Sequence, residues 1–167
     1  MGMASSRNYY SIEKQGHRDN YDAFADIYGH KLDKRDGLTF WPDCPPTLET
    51  SLNFNDVFQR WRNILINAPE VSPGLDGVVL RPSNDAGHFL CDFIYYSNLA
   101  EHWLKRKDSN DVDKVDARPV MFMHVPRWTG ADDLQKGRFI TIALLRALAH
   151  SWRVEKSAEA ATRSFGS

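Results

Sequence analysis

Hydrophobic positions recur along this chain in two rhythms, one helical and one extended. In "SLNFNDVFQRWRNILINAP" (51–69), Val57, Phe58, Trp61, Ile64 and Leu65 share one face at helical spacing. A helix is predicted there, with Asn53 or Asn55 as N-cap and Pro69 beyond its end. Phe89, Phe93, Tyr96, Leu99 and Trp103 repeat the period and predict a second helix over about 88–106. A third, over roughly 132–155 and starting near Asp132, carries Phe139, Ile142, Leu145, Ala149 and Trp152 on one stripe.

Two short runs read as strands. "GVVLR" (77–81), a short β-branched run entered from "SPGLDG" (72–77), reads as a buried strand. "PVMFMHVP" (119–126) is almost continuously apolar, as expected of a strand buried on both faces. Residues 1–50 look irregular, with Pro42, Pro45 and Pro46 blocking regular structure at their end. "KDSNDVDKVDAR" (107–118) is a charged linker, and "SAEAATRSFGS" (157–167) a flexible, frayed tail. The order helix, strand, helix, strand, helix predicts one α/β domain over 1–156, three-layer α/β/α with a mostly parallel sheet.

That architecture gives two residues a shared address. Ligands of open α/β sheets bind outside the carboxyl ends of the strands. Cys91 falls on the first turn of the helix after strand 77–81, and His124 at the carboxyl end of strand 119–125. A right-handed crossover would make those strands neighbours about 4.8 Å apart, bringing thiol and imidazole to one rim. The helix dipole and an adjacent imidazole would both favour the thiolate, the reactive form. The imidazole would protonate a leaving amine, backbone N–H groups at the helix start would hold an oxyanion, and an Asp or Glu would orient the imidazole. A lone cysteine on an apolar helix face more often serves as core packing than as a nucleophile, and the spacing of Cys91 and His124 is not itself diagnostic.

Charge and composition remove other classes. A net charge of −1 leaves no basic field for nucleic acid, and "LKRKD" (104–108) reads as a solvated helix end. No segment reaches the length of a membrane span, and the N-terminus has no apolar signal region. Gly2 with Ser6 matches an acylation pattern only loosely. Two cysteines, Cys44 and Cys91, are too few for a disulfide scaffold and are expected as reduced thiols in the cytoplasm, Cys44 unpaired in a loop. His17, His30 and Cys44 follow no compact metal-ligand spacing, so no metal site is expected there.

"DAGHFLCDFIYY" (85–96) followed by "MFMHVP" (121–126) resembles the nucleophile and histidine segments of pyroglutamyl peptidase I (pyrrolidone carboxyl peptidase), a cytosolic cysteine peptidase family. "MGMASSRNYYSIEKQGHRDNY" (1–21) is similar to the family's Gly-Met-Ala strand end and its Glu-Lys-x-Gly-His segment. The resemblance implies Cys91 as nucleophile, His124 as base, Glu13 as the third member of the triad and Phe89 as an aromatic lining the lactam pocket. It implies removal of N-terminal pyroglutamate from peptides through an acyl-enzyme, without metal or organic cofactor. It departs from the family in lacking the upstream Gly-Phe-Gly-Pro-Phe motif and the first strands, in His88, and in a longer polar linker over 104–119. A truncation of that kind would expose a sheet edge through which copies can associate. The alternative is an inactive truncated homologue persisting as a remnant or interaction module.

Overall fold

The computed structural model describes residues 1–67, 75, 77–107 and 117–165. Most of the segment 72–77, Pro69 and the linker over 108–116 lie outside the described residues. In chain order the elements are β1 (Gly2–Ala4), β2 (Tyr10–Glu13), β3 (Gln15–His17), α1 (Asp36–Phe40), β4 (Thr47–Glu49), α2 (Phe54–Ile66), β5 (Leu80–Ser83), α3 (Leu90–Lys107), β6 (Phe122–Pro126) and α4 (Ala131–Phe165).

Four strands form the central sheet in the order β1-β6-β2-β5. β1 pairs with β6 and β2 with β5 in parallel, while β2 and β6 run antiparallel, so the sheet is mixed and mostly parallel. The expectation that the strands around 77–81 and 119–125 are neighbours is corrected, because β2 stands between β5 and β6. Nor is the first of them buried as expected: β5 lies at the sheet's edge, Val79 before it is exposed, and none of its residues is fully buried. β2 itself lies in the region that looked irregular. Its four residues are all buried, two apolar and two polar, so no apolar run marks it.

Alternation along β2 and β6 builds two cores. Tyr10, Ile12 and Met123 face one side, where they pack with Val57 and Trp61 of α2 and with Ile140, Ala143, Leu144 and Ala147 of α4. The small residues Ala143 and Ala147 let the two helices approach, and Trp61 donates its indole N–H to the Ile140 carbonyl at 2.9 Å. On the opposite face Phe122 packs with Tyr95, Tyr96, Leu99 and Ala100 of α3 and with Tyr21, Trp41, Cys44 and Leu48. This is the expected three-layer α/β/α arrangement.

Asn53 caps α2, its side chain accepting the Asp56 N–H at 3.2 Å, which decides between the two candidate caps. β3 and β4 pair antiparallel beside α3. Gly16 allows this approach, since a Cβ there would sit 3.0 Å from the Tyr96 backbone. α4 runs on to Phe165, beyond its expected end near 155. Among the described residues no helix is long and apolar enough to cross a membrane.

Candidate active site

The polar side chains that leave the first core on β2 and β6 are Ser11, Glu13 and His124. Register places Ser11 opposite His124 and Glu13 opposite Phe122. Glu13 and His124 are buried, at 0% and 3% exposure, and His124 Nδ1 lies 2.8 Å from Glu13 Oε1. His124 stands in the middle of β6, not at its carboxyl end as expected.

A carboxylate buried this deeply needs compensation. Arg7, in the turn between β1 and β2, provides it: its Nη1 donates to Glu13 Oε1 and to Ser11 Oγ, each at 2.6 Å. Ser11 Oγ lies 3.2 Å from the same Glu13 oxygen. Burial pushes the Glu13 carboxyl up, but the hydrogen bonds from His124 and Arg7, with the Arg7 charge, outweigh it and hold the group below its ordinary value. Glu13 is therefore a carboxylate, and a carboxylate oxygen at 2.8 Å requires the proton of His124 to sit on Nδ1. That tautomer, assigned from the network, leaves Nε2 with its lone pair.

Cys91 is the second residue of α3, on its first turn as expected, and is partly exposed. Its sulfur lies over Gly2, where an added Cβ would stand 2.6 Å from Sγ. Gly2 is the register partner of His124 on the neighbouring strand. Thus the thiol approaches the strand that carries the histidine by way of β1, and not because β5 and β6 are neighbours. Among the described residues Cys91 and His124 share no hydrogen bond. The thiol's environment also differs from expectation: burial, with the charges of Glu13 and Asp92, pushes it up, against the opposing pull of the N-terminal ammonium and Arg7. The resting group is a protonated thiol.

Asp92, the next residue, is fully buried. It accepts the His17 backbone N–H at 3.1 Å and lies 3.2 Å from His17 Nδ1, tying β3 to the first turn that carries Cys91. Burial raises its carboxyl above the ordinary range despite these contacts. Phe89, two residues before Cys91, is exposed. Its ring is 5.7 Å from that of Phe24, and the two help line a cavity of about 250 Å³ with Tyr21, Leu32, Leu90 and Phe93. His17, His30 and Cys44 do not converge: His17 is engaged by Asp92, His30 lies beside Asp26, and Cys44 is buried in the second core.

No family model and no curated protein sequence matches the chain. Solved structures do. Pyrrolidone carboxyl peptidase from the hyperthermophile Pyrococcus furiosus superposes with a TM-score of 0.59 at 18% identity, over 92% of this chain and 66% of the other. A point variant of that enzyme gives a TM-score of 0.59 at 16% identity with the same coverage, and another gives 0.56 at 17%, over 89% of this chain and 64% of the other. The chain has the pyrrolidone carboxyl peptidase fold. It spans just under two thirds of the length of those peptidase chains.

Within this pyrrolidone carboxyl peptidase-like fold, three participants had no signal in the sequence. Arg7 meets Glu13 and the Asp85 carbonyl, the latter at 2.6 Å across 78 positions of chain. Ser11 is one more polar residue in an unrecognised strand. Asp92 follows the cysteine, and only its burial beside His17 distinguishes it from a surface helix residue.

Proposed function

We propose that this chain acts as a cysteine peptidase that removes N-terminal pyroglutamate from peptides, with the cytoplasm as its compartment. The observation that carries this reading is the buried Glu13–His124 hydrogen bond of 2.8 Å set beside a cysteine on the first turn of a helix. The likeness in fold to pyrrolidone carboxyl peptidase supplies the substrate class.

Because Cys91 rests protonated, attack is base-assisted. As Sγ forms its bond to the pyroglutamyl carbonyl carbon, the thiol proton passes to His124 Nε2, and Glu13 stabilises the imidazolium through Nδ1–H. Substrate closes the gap between thiol and imidazole, a tightening common to thiol and serine hydrolases. The N–H groups of Cys91 and Asp92, which the helix leaves without internal partners, face the developing oxyanion. The tetrahedral species collapses by breaking the C–N bond, and His124 returns its proton to the departing amine. Water then attacks the thioester carbonyl, giving its proton to His124 Nε2. Collapse releases pyroglutamate and protonates the thiolate. Phe89, with the aromatic cavity beside it, forms the wall against which the lactam ring packs.

A second reading has a specific observation in its favour: the raised thiol and the missing Cys91–His124 hydrogen bond suit an inactive relative that keeps the scaffold. One experiment separates the two. Release of a fluorophore from a pyroglutamyl amide is measured for the chain and for Cys91→Ala across neutral and alkaline pH. Turnover in the first that vanishes in the second supports the peptidase. A folded chain that releases nothing, or a Cys91→Ala variant as active as its parent, sinks it.

A further inference from the structure

Arg7 makes more contacts in the candidate site than a simple counter-ion would. Its side chain is 15% exposed, and its two terminal nitrogens face different structures. Nη1 donates to Glu13 Oε1 and Ser11 Oγ and lies 3.4 Å from His124 Nδ1. Nη2 donates to the Asp85 carbonyl at 2.6 Å, in the turn that precedes the cysteine's helix. That turn is internally fixed, with Asp85 N bonded to Ser83 Oγ and Gly87 N to Asp85 Oδ1. A single planar guanidinium therefore joins the acid–imidazole pair to the segment leading into Cys91.

The geometry points to Arg7 as a positioning residue that fixes the tautomer of His124. Glu13 Oε1 transmits the effect, because it receives Arg7, His124 and Ser11 together. Both Arg7 Nη1 and His124 Nδ1 approach this oxygen. Since Arg7 has only donors to offer, its 3.4 Å contact with Nδ1 is two donors converging on one acceptor, not a bond between them. While the guanidinium is present Glu13 stays ionised, so Nδ1 must carry the proton and Nε2 must be the base. Without it the buried carboxyl takes up a proton from solvent and keeps it as an O–H donor to Nδ1, while the single proton of the imidazole moves from Nδ1 to Nε2, a form that cannot accept the thiol proton. The titratable groups facing Glu13 are Arg7 from the β1–β2 turn, His124 from β6, and Cys91 and Tyr95 from α3. Tyr95 donates its hydroxyl to the Glu13 carbonyl, and its own pKa is raised, chiefly by burial. None of the other three replaces the fixed positive charge.

This role for Arg7 builds on the proposed peptidase reading, but its test does not depend on turnover. Imidazole nitrogen shifts of His124 are recorded by NMR in the full chain at neutral pH, for the parent, Arg7→Gln and Arg7→Lys. The parent is expected as Nδ1–H, Arg7→Gln as predominantly Nε2–H, and Arg7→Lys as Nδ1–H. Added guanidinium ion should return Arg7→Gln toward Nδ1–H, which loss of structure alone would not allow. In the fluorogenic assay Arg7→Gln should lose about tenfold or more in kcat/KM, with its acid limb moved to higher pH, and guanidinium should restore part of the rate. A parent that is Nε2–H, or a folded Arg7→Gln that stays Nδ1–H, overturns the assignment. Should Arg7→Gln not fold, an Nε2–H Arg7→Lys would overturn it, and Nδ1–H there would uphold it. A tautomer that switches as expected in a chain without turnover upholds the role of Arg7 while removing the peptidase reading.

Discussion

The sulfur of Cys91 fills the space that a side chain on Gly2 would need: a Cβ there would stand 2.6 Å from Sγ and 3.1 Å from the Phe122 ring. Gly2 is also the strand partner of His124. A missing side chain on the sheet's edge strand thus lets the helix-borne thiol settle beside the strand that carries the histidine.

Gly2→Ala should therefore harm both the fold and the chemistry. The new methyl meets a sulfur and a packed aromatic ring, and overpacking of this kind costs about 1–3 kcal/mol. Urea unfolding should show that loss as a lower midpoint with unchanged slope. Turnover of a pyroglutamyl amide should fall further than stability does, because a displacement of the nucleophile on the ångström scale costs about a hundredfold. An alanine variant with parental midpoint and rate would mean that Cys91 is not seated on Gly2.

Glu13 offers a test through pH. Its carboxyl is held below the ordinary range, so between that folded value and about pH 4.3 the unfolded chain binds a proton that the native chain does not. Stability therefore rises with pH across this window. The contribution is complete above about pH 4.3 and disappears as pH falls through the folded value. Glu13→Gln removes the charge and leaves Arg7 and His124 facing a neutral amide, at a cost of about 3 kcal/mol near neutrality. Unfolding free energies measured over a pH series should place Glu13→Gln well below its parent at neutral pH, with the gap narrowing on acidification. A gap that stays constant through acid would show that Glu13 is not an ionised partner.

Much of this arrangement was legible in the pattern of the chain, and the parts that were not share a physical cause. α2 and α3 follow from apolar spacing because each buries one face against the sheet or a neighbouring helix. Cys91 on a first helical turn and His124 within a buried strand follow from the same reasoning. β2 does not, because Ser11 and Glu13 are polar residues at 0% exposure, a placement that becomes favourable only once Arg7 and His124 are beside them. Three-residue strands such as β3 and β4 are too short to carry a period at all. With β2 unseen, the strands bearing the site looked adjacent. The route that joins Cys91 to His124, through Gly2 on β1, depends on strand pairing across more than 120 positions and leaves no local trace.

Asp92 provides the last expectation. It sits fully buried and accepts a backbone N–H from His17, so what it supplies first is an acceptor, not a charge. Its carboxyl is raised by burial, which means that above its ordinary range the unfolded chain releases a proton that the native chain retains. The ionised state is therefore a burden on the fold, and stability falls as pH rises from the ordinary aspartate value toward the folded one. Asp92→Asn keeps an oxygen for the His17 N–H and relieves that burden. It should leave the urea midpoint at neutral pH equal to or above the parental one. Asp92→Ala orphans the half-buried His17 N–H and should cost about 1–3 kcal/mol. Because the bond ties β3 to the turn bearing Cys91, the alanine variant should also lose turnover that the asparagine variant keeps. If asparagine proves as damaging as alanine, the negative charge matters more than the acceptor, and Asp92 would then belong with Glu13 in the electrostatics of the site.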